Sequence, residues 1–241
     1  MFYTANLSYR PNSRDGGRME YSVINYNDIR KNEAIMTYIK KADETLAALG
    51  YTDHSLGHVT KVADVAGYIL TTLGYSKQDI ELAKIAGYMH DIGNVINRED
   101  HAQSGAVMAF RLLDQIGATP EENSTIISAI GNHDEGTAVP VNPIAAALIL
   151  GDKTDVRRRR VRNRDLPTFD IHDRVNYAVE ASQVLIIKNN TVFQLNLTID
   201  TSISPVMDYF EIFLGRMLLC KKAANHLNMT FELVINGQKV L

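Results

Sequence analysis

The sequence predicts a mainly α-helical protein: a helical bundle followed by a small C-terminal α+β appendage in ββαβ order. Two observations carry the bundle. Between residues 28 and 153, apolar residues recur at three- and four-residue spacing in successive segments, the period of an amphipathic helix. Those segments are bounded by residues that start or stop helices. A third observation carries the appendage: after Pro167 the pattern changes to strand-length apolar runs around a turn sequence.

In chain order, NDIRKNEAIMTYIKKADETLAALG reads as a helix stopped at Gly50, a C-cap position. DHSLGHVTKVADVAGYILTTLG carries Val62, Val65, Ile69 and Leu73 and stops at Gly74. SKQDIELAKIAGYMHDIG opens at Ser76, an N-cap residue. EDHAQSGAVMAFRLLDQIG places Gly105, Met108, Leu112 and Ile116 on one stripe. Thr119, Pro120 and Glu122 form an N-cap, a first-turn proline and a capping box, and Asn142-Pro143 repeats the first two. Beyond them, SQVLIIKNNTVFQLNLTID reads as a hairpin turning at Asn189-Asn190. A long helix with Pro205 near its first turn follows, then a strand in MTFELVINGQKV. The expected divisions are an N-terminal extension over 1–27, a helical domain over 28–168 and an α+β subdomain over 169–241. The extension is polar and broken by Pro and Gly, and Met19 offers an alternative start.

Composition excludes several classes. The chain has 241 residues, 45% hydrophobic and 22% charged, as in an ordinary soluble globular protein. A net charge of −3 provides no global field to recruit nucleic acid or an anionic membrane. No apolar run reaches the ~18–20 residues of a membrane span, and the start has no signal-peptide core. The one cysteine, Cys220, lies in a helical pattern as a small buried hydrophobe and cannot pair internally. The expected location is the cytoplasm, with no membrane partner.

The histidines are not scattered. His58, His90, His101 and His133 each fall on the apolar stripe of their segment, and Asp152 extends the stripe of Ala145 and Leu148. One inward histidine is ordinarily a hydrogen-bonded core residue. Five segments each contributing an inward His or Asp is different, because so many buried polar groups are costly unless something pairs with them. A metal does so, taking neutral imidazoles and ionised carboxylates as ligands.

The ordered set His58, His90-Asp91, His101, His133, Asp152 resembles the HD superfamily of metal-dependent phosphohydrolases. The resemblance covers about residues 30–160, through HVTKVADVA, IAGYMHDIGN, DHAQSGAVM, AIGNHDEG and LILGDKTD. It implies that His58, His90, Asp91 and Asp152 hold a first metal. His101 and His133 resemble the additional pair of the two-metal branch, with Asp91 bridging both ions. One departure is that NHDE stands where the cyclic-di-GMP-hydrolysing branch reads His-His-Glu, and the GYP loop is absent. Cyclic-di-GMP is therefore a poor substrate, and the part played by Asp134 is open. Two divalent ions are expected. Mixed N/O ligation suits Fe or Mn and also admits Zn, Co, Ni or Mg.

A carboxylate with two oxygens can bridge two cations while the imidazole beside it binds one of them, which gives His90-Asp91 its reason. The pair would place a metal-bridging hydroxide as nucleophile. In HD hydrolases a basic residue near the first histidine and near the last aspartate often meets substrate phosphate. Lys61 and Lys153 occupy those positions, so both join Asp91 as candidate catalytic residues. Arg98 and Arg157 are further candidates for substrate binding. The run RRRRVRNR (157–164) has no interleaved aromatics and is flanked by Asp155, Asp165, Asp170 and Asp173, which favours salt bridging first, substrate-phosphate binding second and nucleic-acid binding last. His54, next to Asp53, reads as a polar residue at a helix start. His172-Asp173, beyond the bundle, reads as a decoy, with Asp170 capping a short helix.

The expected function is hydrolysis of a phosphate ester or anhydride of a small phosphorylated molecule, a nucleotide being one candidate. Two alternatives remain. HD-fold diiron oxygenases use a similar ligand set, and a metal-stabilised ligand sensor needs no turnover. The hairpin and strand edges of the tail offer a surface for a homo-oligomer.

Overall fold

The computed structural model describes residues 24–163 and 165–241. Its helical part runs α1 (Tyr26–Lys31), α2 (Glu33–Ala48), α3 (Leu56–Thr72), α4 (Lys77–Met89), α5 (His101–Ile116), α6 (Pro120–Gly131) and α7 (Pro143–Lys153). Then come α8 (Ile171–Ala178), β1 (Val179–Ile187), β2 (Val192–Ile199), α9 (Val206–His226), β3 (Thr230–Ile235) and β4 (Gln238–Lys239). The fold is a helical bundle with a small C-terminal sheet, as expected.

The capping residues act as their chemistry dictates. Ser76 Oγ accepts the Asp79 N–H, and Asn142 Oδ1 accepts the Ala145 N–H ahead of Pro143. Thr119 and Glu122 satisfy each other's backbone N–H groups reciprocally. Three differences stand against the sequence reading. The first helix is two helices, because the Asn32 N–H closes α1 on the Ile29 carbonyl while its side chain caps α2 at the Ile35 N–H. The appendage is ββαββ, since the turn at Asn236-Gly237, both with positive φ, returns the chain as β4. Of the expected extension, residues 1–23 lie outside the described residues, whereas Ile24 and Tyr26 are buried in the core.

The sheet order is β1-β2-β3-β4. β1 and β2 form the expected hairpin, β3 runs parallel to β2 after the α9 crossover, and β4 is antiparallel to β3. α9 lies between this sheet and α7: Phe213, Met217 and Cys220 belong to the same hydrophobic cluster as Leu148 of α7 and Leu233 of β3. One core therefore runs from the bundle into the appendage. Cys220 is fully buried there, and desolvation pushes its thiol up to about 12.

Two glycines set the distances between the helices that matter below. A Cβ on Gly87 would lie 2.8 Å from Ala63 Cα, and one on Gly93 would lie 2.0 Å from the His101 carbonyl oxygen. α4 therefore touches α3, and the turn after α4 touches the start of α5, backbone against backbone.

Candidate metal centre

Each inward polar residue sits at or near a helix end. His58 lies in the first turns of α3, His90-Asp91 directly follow α4, His101 opens α5, His133 lies just past α6 and Asp152 is in the last turn of α7. Helix ends converge here because the glycine contacts bring α3, α4 and α5 together on one side. His58, His90 and His133 are wholly buried, and the rings of His58, His90, His133 and His101 meet edge to face at centroid distances of 5.3, 4.9 and 5.1 Å.

The hydrogen bonds assign the tautomers. His90 Nδ1 lies 2.8 Å from the Gly87 carbonyl, His133 Nδ1 2.6 Å from that of Ile130 and His101 Nδ1 3.0 Å from that of Arg98. A carbonyl only accepts, so each Nδ1 carries the proton, and in the neutral ring Nε2 is left with a bare lone pair. His58 does the same toward the Asp155 carboxylate, at 2.8 Å.

Three of those Nε2 atoms, of His58, His90 and His101, lie within 4 Å of carboxylate oxygens. Asp91 Oδ2 is 3.0 Å from His90 Nε2 and 3.6 Å from His58 Nε2, while its Oδ1 is 3.5 Å from His101 Nε2. Asp152 Oδ1 is 3.4 Å from His58 Nε2 and 3.7 Å from His90 Nε2. Lone pairs thus point at anions. His58 Nε2, His90 Nε2, His133 Nε2 and Asp91 Oδ2 are buried without a hydrogen-bond partner. Orphaned buried acceptors of this kind are costly, and bound divalent cations would satisfy them. Two groups have ligand atoms within 4.8 Å of one another: His58, His90 and Asp152, and His90, Asp91 and His133. The residues present fit a metal.

Electrostatics agree. Burial holds the His133 and His101 imidazoles below their ordinary value, the neutral state a ligand needs. Burial also pulls His90 down, but Asp91 and Asp152 beside it bring it above its ordinary value. Against the upward push of burial, Asp91 is held well below the usual carboxylate range by His90 and its neighbours, and Asp152 by Lys153 and the histidines.

The model of the HD domain family matches residues 55–173. This segment belongs to the HD-domain family. Ribonuclease Y of Enterococcus faecalis is 31% identical over 122 residues, covering 49% of this chain and 21% of that protein. Ribonuclease Y 1 of Pediococcus pentosaceus is 35% identical over 89 residues, covering 36% and 15%. An uncharacterized protein of Methanocaldococcus jannaschii is 24% identical over 185 residues, covering 66% and 70%. The chain spans about a fifth of the length of the Enterococcus ribonuclease Y.

The cluster forms the floor of a cavity of about 430 Å³. Asp91, His101 and Asp152 of the HD domain line it, together with Arg98 and Lys153. Arg98 Nη1 is 3.3 Å from His101 Nε2, and Lys153 Nζ is 2.7 Å from Asp152 Oδ2. Asp134, whose part the sequence left open, lines the cavity with Oδ1 3.9 Å from His101 Nε2. His54 lies before α3 rather than on it; it lines the cavity, with its ring 5.4 Å from that of His58.

Other expectations change. Lys61 and Arg157, expected at substrate phosphate, lie outside the cavity wall: Lys61 Nζ is 3.3 Å and Arg157 Nε 2.5 Å from Asp155 Oδ1. Among the described residues of the arginine run, Arg160 lines the cavity. Two further described members of the run make structural contacts. Arg158 bonds the Tyr177 carbonyl, and Arg162 pairs with Asp43. Asp170 caps α8 as expected, but α8 packs at the cavity, so His172 and Asp173 line it instead of lying away from it. Neither belongs to the two groups of close-set ligand atoms. Phe213 and Arg216 of α9 complete the wall. Sequence reasoning missed Arg216 and Phe213, because a lone basic or aromatic residue on a helix carries no periodic signal, and within the arginine run it picked Arg157 where Arg160 lines the cavity.

Proposed function

We infer that the protein is a metal-dependent phosphohydrolase that cleaves a phosphate ester or anhydride of a small phosphorylated molecule, with a nucleotide the leading candidate. One observation carries this reading: the Nε2 atoms of His58, His90 and His101 meet two ionised carboxylates, with His133 grouped beside His90 and Asp91, at the floor of a cavity whose walls carry Arg98, Lys153, Arg160 and Arg216. The cavity volume suits a small ligand. His58, His90, Asp91 and Asp152 would hold one ion. His101 and His133 would hold a second, with Asp91 shared because its two oxygens face different imidazoles. Ions held there supply the Lewis acidity that neutralises a phosphoryl group and activates water near neutral pH. Lys153 and Arg98, beside the ligands, bind the substrate's phosphate oxygens. Asp134 places a carboxylate oxygen 3.9 Å from His101 Nε2 at the cavity wall. Tyr51 and Phe213 give the cavity aromatic faces.

A second reading keeps the centre but takes an RNA phosphodiester; the likeness to proteins named ribonuclease Y favours it. The experiment is turnover by Mn-, Co- or Fe-loaded protein of a panel of nucleotides and sugar phosphates, with a labelled single-stranded RNA alongside. The expected result is phosphate release from a small substrate, abolished by chelation. Cleavage of RNA alone selects the second reading. Dioxygen consumption without phosphate release selects oxygenase chemistry, and no turnover at all leaves a ligand sensor.

A further inference from the structure

His58 differs from the other three imidazoles in what holds it. They give the Nδ1 proton to backbone carbonyls, whereas His58 gives it to a side chain, the Asp155 carboxylate, 97 positions away in sequence. Asp155 lies just past α7 and is almost fully buried. Three cations surround it. Lys61 Nζ is 3.3 Å from Oδ1, Arg157 Nε is 2.5 Å from Oδ1 with its Nη2 donating to Oδ2 at 2.7 Å, and Arg160 Nη1 is 3.9 Å from Oδ2. Arg160 also donates to the Asp155 carbonyl at 2.7 Å, and its Nε to the Asp53 carbonyl at 2.9 Å.

A purely structural anchor for the arginine run would account for Arg157 and Arg160. It would not account for the oxygen spent on a histidine whose other nitrogen is an orphaned, buried lone pair. A carboxylate that accepts from one imidazole nitrogen fixes the ring and raises the basicity of the other nitrogen as a ligand. Lys61, Arg157 and Arg160 surround that buried carboxylate with opposite charge, the pairing a buried anion requires.

We propose that Asp155 is a positioning residue of the metal centre, fixing the ring and tautomer of His58 so that its Nε2 faces the ligand cluster, and that Lys61 and Arg157 serve by holding Asp155 rather than by binding substrate. The proposal rests on the metal part of the reading above and not on the substrate. Its test therefore uses metal alone.

Titration calorimetry of the metal-free full chain with Co(II) or Mn(II) compares the wild type, Asp155→Asn and the remote control Arg158→Ala. Asn keeps the size and a hydrogen-bond acceptor but loses the charge. The tightest binding event should weaken by about 10–100-fold in Asp155→Asn, with a changed visible spectrum of the Co(II) form, while Arg158→Ala matches the wild type. An Asn variant that folds and binds within about threefold of the wild type overturns the proposal. If that variant does not fold, nitrogen-15 imidazole NMR of the metal-free wild type decides. His58 protonated on Nδ1, with its proton further downfield than those of His90, His101 and His133, supports the proposal. His58 protonated on Nε2 overturns it. Normal metal binding without phosphatase turnover would sink the hydrolase reading and leave this one standing.

Discussion

Arg216 Nε donates to Glu135 Oε1 at 2.7 Å, joining α9 to the loop after α6 across 81 positions of sequence. The same oxygen is 3.8 Å from Lys153 Nζ, which in turn reaches Asp152. A chain of charges thus runs from the C-terminal helix to a candidate metal ligand. The Arg216 guanidinium also lies 4.4 Å from the centre of the Phe213 ring. Burial pulls its pKa down, but Glu135 and Asp152 hold it above its ordinary value.

Arg216→Ala should therefore raise KM for a phosphorylated substrate more than it lowers kcat, with metal content unchanged. A charge-assisted hydrogen bond is worth about 1.5–3 kcal/mol, so a rise of roughly tenfold or more in KM is expected. Steady-state kinetics with metal analysis checks this. Loss of bound metal in the variant would show that Arg216 acts on the ligands instead.

Asp91→Asn should be more damaging than His133→Ala. Asp91 faces His90 and His58 with one oxygen and His101 with the other, so losing its charge disturbs both groups of ligands. His133 leaves His58, His90 and Asp152 intact when removed. The Asn variant should lose most of its metal and all turnover, and the His133 variant should keep about one ion. Metal content and kcat measured on both proteins decide, and the reverse order rules out the shared-carboxylate arrangement.

Gly93→Ala should destabilise the fold from beneath the site. The added Cβ would meet the His101 carbonyl oxygen at 2.0 Å and the Gly105 nitrogen at 2.5 Å, both backbone atoms that cannot swing away. Overpacking costs about 1–3 kcal/mol or more, and each kcal/mol lowers Tm by about 2–4 °C in a chain of this size. Thermal unfolding of the two metal-free proteins is the measurement, and an unchanged Tm would show that the turn and α5 can separate.

The metal-free protein should lose stability as pH falls from about 7 to 5. Burial holds His133, His101 and His54 below the ordinary 6.5, so the unfolded chain takes up protons in this range that the folded one refuses. The stability these three contribute is present above 6.5 and drains away below it. His90, raised by its carboxylates, works in the opposite sense, but one group opposes three. Asp91 and Asp152 are lowered from 3.8, so their contribution is lost only at more acid pH. Tm measured in chelator across this range should fall. A rise would mean that the carboxylates charge the whole cluster.

Much of the bundle was legible because its signals are local. Ser76, Thr119 with Glu122, and Asn142 with Pro143 cap helices through atoms within three residues, and the stripes that bury His58 and His101 and turn Asp152 toward them repeat at helical spacing. The break at Asn32 was missed because one asparagine serves as both stop and start, which a continuous apolar pattern hides.

By itself the sequence determined the helical bundle, the appendage and the inward-facing histidines and aspartates, since periodicity and capping depend on neighbours along the chain. Only the tertiary structure decided which charges meet. Asp155 was visible three residues after Asp152, but its partner His58 lies 97 positions earlier. Lys61 and Arg157 look alike in sequence to residues that bind phosphate, yet a buried carboxylate claims both. Arg216 and α8 reach the cavity because the sheet and α9 pack back onto α7. An ion pair takes its partner from whatever the fold brings within a few ångströms, and spacing along the chain carries no record of that distance.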